Sequence, residues 1–344
     1  MRHVDYIIVG FGIAGATLAL QLRKRGFTVM IFDEPYEHQA SRVAAGLFNP
    51  VTGKLMKRTW NADKLFPYLF DFYQEAERLT GSKFFHPMPI CIPFASIAEQ
   101  NDWMTSSEEV YTSSRYGEFI HDELGGVILK SSGYVDTVKY IDEVKRFFMT
   151  ERSFTYDDLI VNTSEIIYQS YHAKAIIFCE GIRVSNNPWF NWVPVRPLKG
   201  ETVDIQLDKN LPFIFNRGVY VVPSDKGSTN SWRVGATYDH DVSEGVTEAG
   251  QRELREKLDS LLAFSYTTTH HAWGIRPTTP DRRPILGPHP EHKNVLIFNG
   301  MGTKGVSLAP WSSGILSDHL AEGLQIKNDI NISRFYALYS KFRD

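Results

Sequence analysis

Three glycines and one aspartate carry the clearest chemistry in this chain. Gly10, Gly12 and Gly15 stand in the order G-x-G-x-x-G, with Ile13 and Ala14 between the last two, and Asp33 follows downstream. Each position has a physical reason. Gly10 permits a tight turn, Gly12 lets backbone approach a pyrophosphate, and Gly15 lets a helix lie close against a strand. A helix opening here presents unpaired N–H groups and the positive end of its dipole to the phosphates. An aspartate at the end of the next strand can accept hydrogen bonds from a ribose diol.

The surrounding elements must hold that turn. Residues 5–9 are apolar and β-branched, and predict a strand. Ala16–Arg25 has helical period and stops at Gly26, and Phe27–Phe32 predicts a second strand ending at Asp33. The β-α-β context turns a weak glycine motif into a nucleotide-binding expectation. Next, Ser41, Arg42, Ala45 and Gly46 lie in Ser41-Arg-Val-Ala-Ala-Gly-Leu-Phe-Asn-Pro50, where small residues allow backbone to come close to a ligand.

At 344 residues the chain exceeds one ordinary core and predicts two packed domains. Its 42% hydrophobic and 22% charged residues describe an ordinary globular protein, and the net charge of −3 supplies no bulk attraction to nucleic acid or to an anionic membrane. With the first strand opening at residue 5 no secretion signal is expected, and with no segment approaching about 18 uninterrupted apolar residues no membrane span is expected. Cys91 and Cys179 suit no disulfide framework or metal site, and a reducing cytoplasm fits them. His270-His271 lacks further ligands at metal spacing and reads as structural. Three cations in Thr52-Gly-Lys-Leu-Met-Lys-Arg58 suit an anionic substrate, RNA phosphate or a solvated face.

Beyond the opening unit, Asn61 is expected to cap a helix to about Leu79, and a helix is expected near Val138–Met149. Phe154–Tyr156 and Glu165–Gln169 read as hairpin strands. Ala173–Gly181 reads as a buried strand returning to the nucleotide-binding sheet, with Gly181 at its carboxyl end, where ligands lie in open α/β sheets. Residues 193–240 read as an antiparallel sheet, Thr247–Phe264 as an amphipathic helix, and Gly305–Glu322 as a helix after a glycine turn.

Two further blocks carry a resemblance. Trp273-Gly-Ile-Arg-Pro-Thr-Thr-Pro-Asp281-Arg-Arg-Pro-Ile-Leu-Gly287 and Asn294-Val-Leu-Ile-Phe-Asn-Gly300-Met-Gly302-Thr-Lys-Gly305-Val-Ser-Leu-Ala-Pro310, joined to the N-terminal unit, resemble the D-amino-acid oxidase family of FAD-dependent oxidoreductases. Gly218–Pro223, Val234–Thr237 and Phe178-Cys-Glu-Gly181 fit it more diffusely.

The resemblance implies an α/β fold: a Rossmann-like FAD-binding domain (1–83, 150–192 and 270–344) interleaved with an α+β substrate domain on a mainly antiparallel sheet (84–149 and 193–269). It implies FAD, held by Gly10, Gly12, Ile13, Ala14, Gly15, Asp33, Ser41, Arg42, Ala45, Gly46, Gly181, Arg276 and the turn Gly300, Met301, Gly302, Thr303, Lys304, Gly305. That turn would stabilise negative charge at the pyrimidine edge of the flavin. With no cysteine after Cys179, FAD is expected to be non-covalent. Arg276 matches the family arginine that forks onto a substrate carboxylate; the alternative is a salt bridge to Asp281 or another nearby acid. Tyr220 matches a substrate-facing tyrosine or is core. Lys304 would touch substrate, tune the flavin, assist oxygen reduction, or be solvated.

The implied reaction is oxidation of a C–N bond in a small amine or amino acid. Hydride passes to flavin N5, and dioxygen or another acceptor takes the electrons onward. Its rivals are oxidation of the carboxymethylaminomethyl group on tRNA wobble uridine, an FAD-binding protein without turnover, and a nicotinamide-only dehydrogenase.

Overall fold

The computed structural model describes residues 2–36, 38–52, 57–224 and 230–343. The elements that position the site are, in chain order, β1 (Arg2–Val9), α1 (Ile13–Lys24), β2 (Val29–Phe32), α2 (Thr137–Lys145), β3 (Tyr171–Phe178), β4 (Arg196–Gln206), β5 (Tyr220–Pro223), β6 (Ser231–Gly235), α3 (Glu248–Leu261), β7 (Thr267–Thr278), β8 (Val295–Asn299) and α4 (Gly305–Glu322).

The first sheet is the doubly wound half. Met149–Glu151, β2, β1, β3 and β8 lie side by side and parallel, so the carboxyl ends of β1, β2, β3 and β8 share one edge. Parallel strands buried on both faces read as continuous apolar runs, and Val-Met-Ile-Phe of β2 is wholly buried. α1 packs on this sheet with every residue from Ile13 to Leu22 buried. α4 lies beside α1, buried over most of its length, with Pro310 in its first turns.

The expected return of the 173–181 strand is present, since β3 pairs in parallel with β1 from Arg2↔Tyr171 to Val9↔Phe178. The hairpin differs from expectation. Tyr156–Asp158 is a 3₁₀ turn, and the strands are Leu159–Val161 and Ile166–Tyr168. Phe154 and Tyr156 instead pack as aromatic plugs against Phe178. Their aromatic side chains, enriched in strands generally, are satisfied here by ring packing.

The second sheet is mainly antiparallel: β7, β4, β6, β5, Ile214–Asn216, Ile90–Pro93, Gly126–Leu129 and Glu109–Tyr111, with a single parallel pair between Ile214–Asn216 and Ile90–Pro93. Strand alternation divides its faces. Val203, Ile205, Val221, Trp232 and Val234 point to Leu254, Leu258 and Leu261 of α3. The opposite face carries Gly200, Thr202, Asp204, Tyr220, Arg233, Gly235, Gly274 and Arg276, and meets the nucleotide half.

α2 falls inside the 84–149 segment, yet Tyr140, Ile141 and Val144 enter the same core as α1 and α4. The helix after Asn61 runs Ala62–Thr80, but Asn61 is left-handed at φ 57° and its side chain makes no capping bond. Among the described residues no helix is long and apolar enough to cross a membrane.

Candidate cofactor and substrate site

The glycine loop is shaped by contacts that forbid side chains. A Cβ on Gly10, whose φ is +90°, would stand 2.6 Å from the Cys179 carbonyl oxygen, and one on Gly15 would overlap the Gly10 carbonyl oxygen. Gly46, at φ +68°, has the Val135 carbonyl oxygen where its Cβ would lie. These are backbone-to-backbone approaches that only glycine allows.

The helix starts converge. A Cβ on Gly305, the first residue of α4, would stand 2.9 Å from Ile13 Cγ2, at the first residue of α1. Two positive dipole ends therefore meet at one edge of the sheet. The turn before α4 is pinned to both halves. Asn299 Nδ2 donates to Gly181 O (2.8 Å), the Gly300 N–H donates to Asn299 Oδ1 (2.7 Å), and the Gly302 N–H donates to Pro277 O (2.9 Å). Met301 is buried, Thr303 is exposed and Lys304 is half-buried.

Around this cradle lie the predicted polar residues. Asp33 is 5% exposed, and its Oδ1 accepts from the Phe11 N–H (2.9 Å). Ser41 Oγ accepts from the Ile13 N–H (3.0 Å), so a side chain from another segment satisfies the first N–H of α1. Arg42 forks onto Asp142 of α2, with Nη2 at 2.7 Å from Oδ1. Ala45 packs against the buried cluster that includes Ile90, Tyr134 and Val222.

A dinucleotide fits these residues. Gln39 Oε1 and Arg42 Nε are buried without hydrogen-bond partners among the described residues. Gln39 Nε2 lies 3.4 Å from where a Gly12 Cβ would be. Orphaned buried polar atoms beside a glycine cradle and two helix N-termini are what a pyrophosphate-bearing ligand would satisfy.

The substrate side is built from side chains. Arg276 Nη1 donates to Thr237 O (3.2 Å) and Lys199 O (3.4 Å), and its guanidinium lies 4.9 Å from the Tyr238 ring centre. Asp281 is taken by Arg334 (2.9 Å), so the salt bridge considered from sequence is absent. Gly200 is the floor beneath the guanidinium, since a Cβ there would overlap its nitrogens. Gly235 does the same for Tyr220, whose hydroxyl would be 2.7 Å from an added Cβ. Burial pushes the Tyr220 phenol above its ordinary range, opposed by the nearby Arg276. Between them Thr202 is 3% exposed, with Oγ1 unpartnered among the described residues.

Lys304 Nζ reaches Thr59 Oγ1 (3.2 Å). Burial, with the charge of Arg282, pulls its amine below the usual lysine range. Glu180, beside the glycine loop, accepts from the Tyr156 hydroxyl (2.5 Å) and Asn187 Nδ2 (2.7 Å), and burial raises its carboxyl to about 7. His271 lies 2.8 Å from Glu201, which Thr247 also bonds, on the face away from the nucleotide half. Among the described residues no group of three or more His, Cys, Asp or Glu is gathered to hold a metal. Of the basic stretch, residues 53–56 lie outside the described residues, and Arg58 pairs with Asp63 (2.7 Å).

Sequence reasoning passed over Gly200, Thr202, Tyr238 and Lys145. Glycine inside the strand-like run 200–205 was the available signal, because it marks a close approach.

A family model described as FAD dependent oxidoreductase matches residues 5–319. The bifunctional protein ThiO/ThiG of Trichormus variabilis is 24% identical over 98% of this chain and 55% of its own length. The tRNA 5-methylaminomethyl-2-thiouridine biosynthesis bifunctional protein MnmC of Legionella pneumophila is 26% identical over 84% of this chain and 47% of its own. This chain thus spans about half the length of these curated relatives. The crystal structure of glycine oxidase from Geobacillus kaustophilus superposes with a TM-score of 0.79 at 21% identity, covering 97% of this chain and 99% of that one.

Proposed function

Since the chain belongs to the family of FAD-dependent oxidoreductases, we propose that it oxidises the C–N bond of a small carboxylated amine, of the glycine or N-substituted glycine type. The observation that carries this reading is Arg276. Its guanidinium lies on the Gly200 floor with one nitrogen tied back to two carbonyls, beside Tyr220, on the strand whose next residue bonds the glycine turn. A planar cation so fixed suits bidentate capture of a carboxylate.

FAD, when bound, supplies the acceptor for the hydride that leaves the carbon next to nitrogen. Gly10–Gly15 and the start of α1 would hold its pyrophosphate, Asp33 its ribose, Ser41–Gly46 its middle, and the Gly300–Gly305 turn with the start of α4 its pyrimidine edge. Arg276 would orient the substrate, with Tyr220 beside it and the exposed Tyr238 ring lying against the guanidinium. Lys304 brings positive charge near the turn, where it favours the reduced cofactor or the reduction of dioxygen. The protein contributes position and charge, and no acid or base is needed for the hydride step. The two buried free thiols, Cys91 and Cys179, accord with a reducing cytoplasm.

A second reading is action on the carboxymethylaminomethyl group of tRNA wobble uridine. It is favoured by cations near the turn: Lys304, Arg282, and Arg283 over Trp60 (5.4 Å). The two readings separate in one assay with two substrates. Peroxide and a keto-acid product from free N-substituted glycines support the first. Turnover only on modified tRNA, with binding that falls steeply with salt, supports the second and overturns the first.

A further inference from the structure

We propose that Lys145 is a cofactor-binding residue, which together with Asp33 holds the ribose of the adenosine half of FAD. The inference rests on FAD as cofactor and extends it to a residue far from the glycine fingerprint.

Asp33 does not stand alone. Its Oδ2 is 2.7 Å from Lys145 Nζ, while Oδ1 takes the Phe11 N–H at 2.9 Å. The aspartate side chain is 4% exposed and the lysine side chain 24%, so the pair is open only on the lysine side. That opening lies at the carboxyl end of β2, the edge where an open parallel sheet receives a nucleotide. Lys145 Nζ is also 5.9 Å from the Phe11 ring centre, inside the glycine loop.

The chemistry is complementary. A carboxylate only accepts hydrogen bonds and an ammonium only donates them. A ribose diol has two hydroxyls that both donate and accept. Asp33 keeps a lone pair at the edge beside Lys145, where one hydroxyl proton can reach, and two of the three donors of Lys145 remain for the hydroxyl oxygens. A buried ion pair with nothing further to bind adds little net stability after desolvation, whereas the same pair serving a ligand gives both polarities of contact.

The helix that delivers Lys145 is itself anchored. Asp142, one turn earlier on the same face of α2, receives the fork of Arg42 at 2.7 and 3.4 Å. α2 is therefore tied to the segments on both sides of the expected adenosine site. This also gives Arg42 a positioning role through Asp142, in addition to any contact made by its unpartnered Nε.

The test uses apoprotein and three ligands that divide FAD: FAD itself, ADP for the adenosine half and FMN for the flavin half. In Lys145→Met the dissociation constants of FAD and ADP rise about tenfold or more, the loss of a charge-assisted hydrogen bond, while that of FMN holds. Lys145→Arg keeps the donors and the charge, recovers most of the loss, and keeps the apoprotein melting temperature near wild type. Unchanged FAD and ADP affinities overturn the proposal. So does an equal loss for FMN, which would mark Lys145 as scaffold. A wild-type protein that binds neither FAD nor ADP overturns the cofactor assignment itself, a failure distinguishable from that of Lys145.

Discussion

The nucleotide end and the proposed substrate end of this molecule both depend on glycine, for opposite reasons. At the nucleotide end, Gly10, Gly15 and Gly46 face carbonyl oxygens of Cys179, Gly10 and Val135, so backbone meets backbone. At the substrate end, Gly200 and Gly235 face the Arg276 guanidinium and the Tyr220 phenol, so backbone makes room for side chains. The first arrangement cannot relax without moving the fold. The second can yield by turning a side chain, at the expense of the geometry that grips substrate. Damage at one end should therefore appear as lost cofactor, and at the other as lost specificity in a protein that remains yellow.

The strongest break is Gly46→Ala. A positive φ and a carbonyl at the Cβ position should cost several kcal/mol and empty the site. The flavin-to-protein absorbance ratio after purification checks this, and full occupancy would refute the backbone account. Arg276→Lys should raise the apparent KM for a carboxylated amine on the order of a hundredfold with flavin content intact, since an ammonium cannot reproduce the fork. Gly200→Ala sharpens the contrast. It should raise KM about tenfold while Arg276 itself is present, and kinetics equal to wild type would show that the floor is irrelevant.

Glu180 tests the loop from beneath. Its carboxyl is raised to about 7 by burial, against an ordinary value of 4.5. Its stability contribution is thus full below about 4.5 and is lost as pH rises through about 7, a change of about 2 kcal/mol or more. Melting temperature against pH should fall across that window in wild type and flatten in Glu180→Gln; parallel curves would remove Glu180 as the cause. The smallest effect is at Lys304. Burial and Arg282 lower its amine from 10.5, so an alkaline limb in flavin reoxidation should lie below the ordinary lysine range and vanish in Lys304→Met. A limb that survives the substitution belongs to another group.

The same division explains what could be read from sequence. Gly10 to Gly15 and Asp33 sit in one continuous unit, and local turn chemistry exposes their purpose. Gly300–Gly305 is equally local. The substrate wall is assembled across β4, β5, β6 and β7, whose register is a tertiary fact: Gly200 opposite Gly274, and Gly235 opposite both Thr202 and Tyr220. No spacing along the chain encodes that Gly200 lies under Arg276. Arg276 and Tyr220 came from family resemblance, while Thr202 and Tyr238 needed the sheet. Lys145 was hidden differently. Its segment reads only as a helix, and its partner Asp33 is distant along the chain and adjacent only after folding.

The central claim is that a carboxylated amine reduces the cofactor held by these two ends. Anaerobic addition of glycine, sarcosine, N-substituted glycines and D-amino acids to the purified yellow protein tests it directly. The account predicts loss of the oxidised flavin absorbance with at least one carboxylated amine, slowed in Arg276→Lys at the same substrate concentration. A yellow protein that no member of the panel bleaches, or that decarboxylated amines bleach equally well, would contradict it.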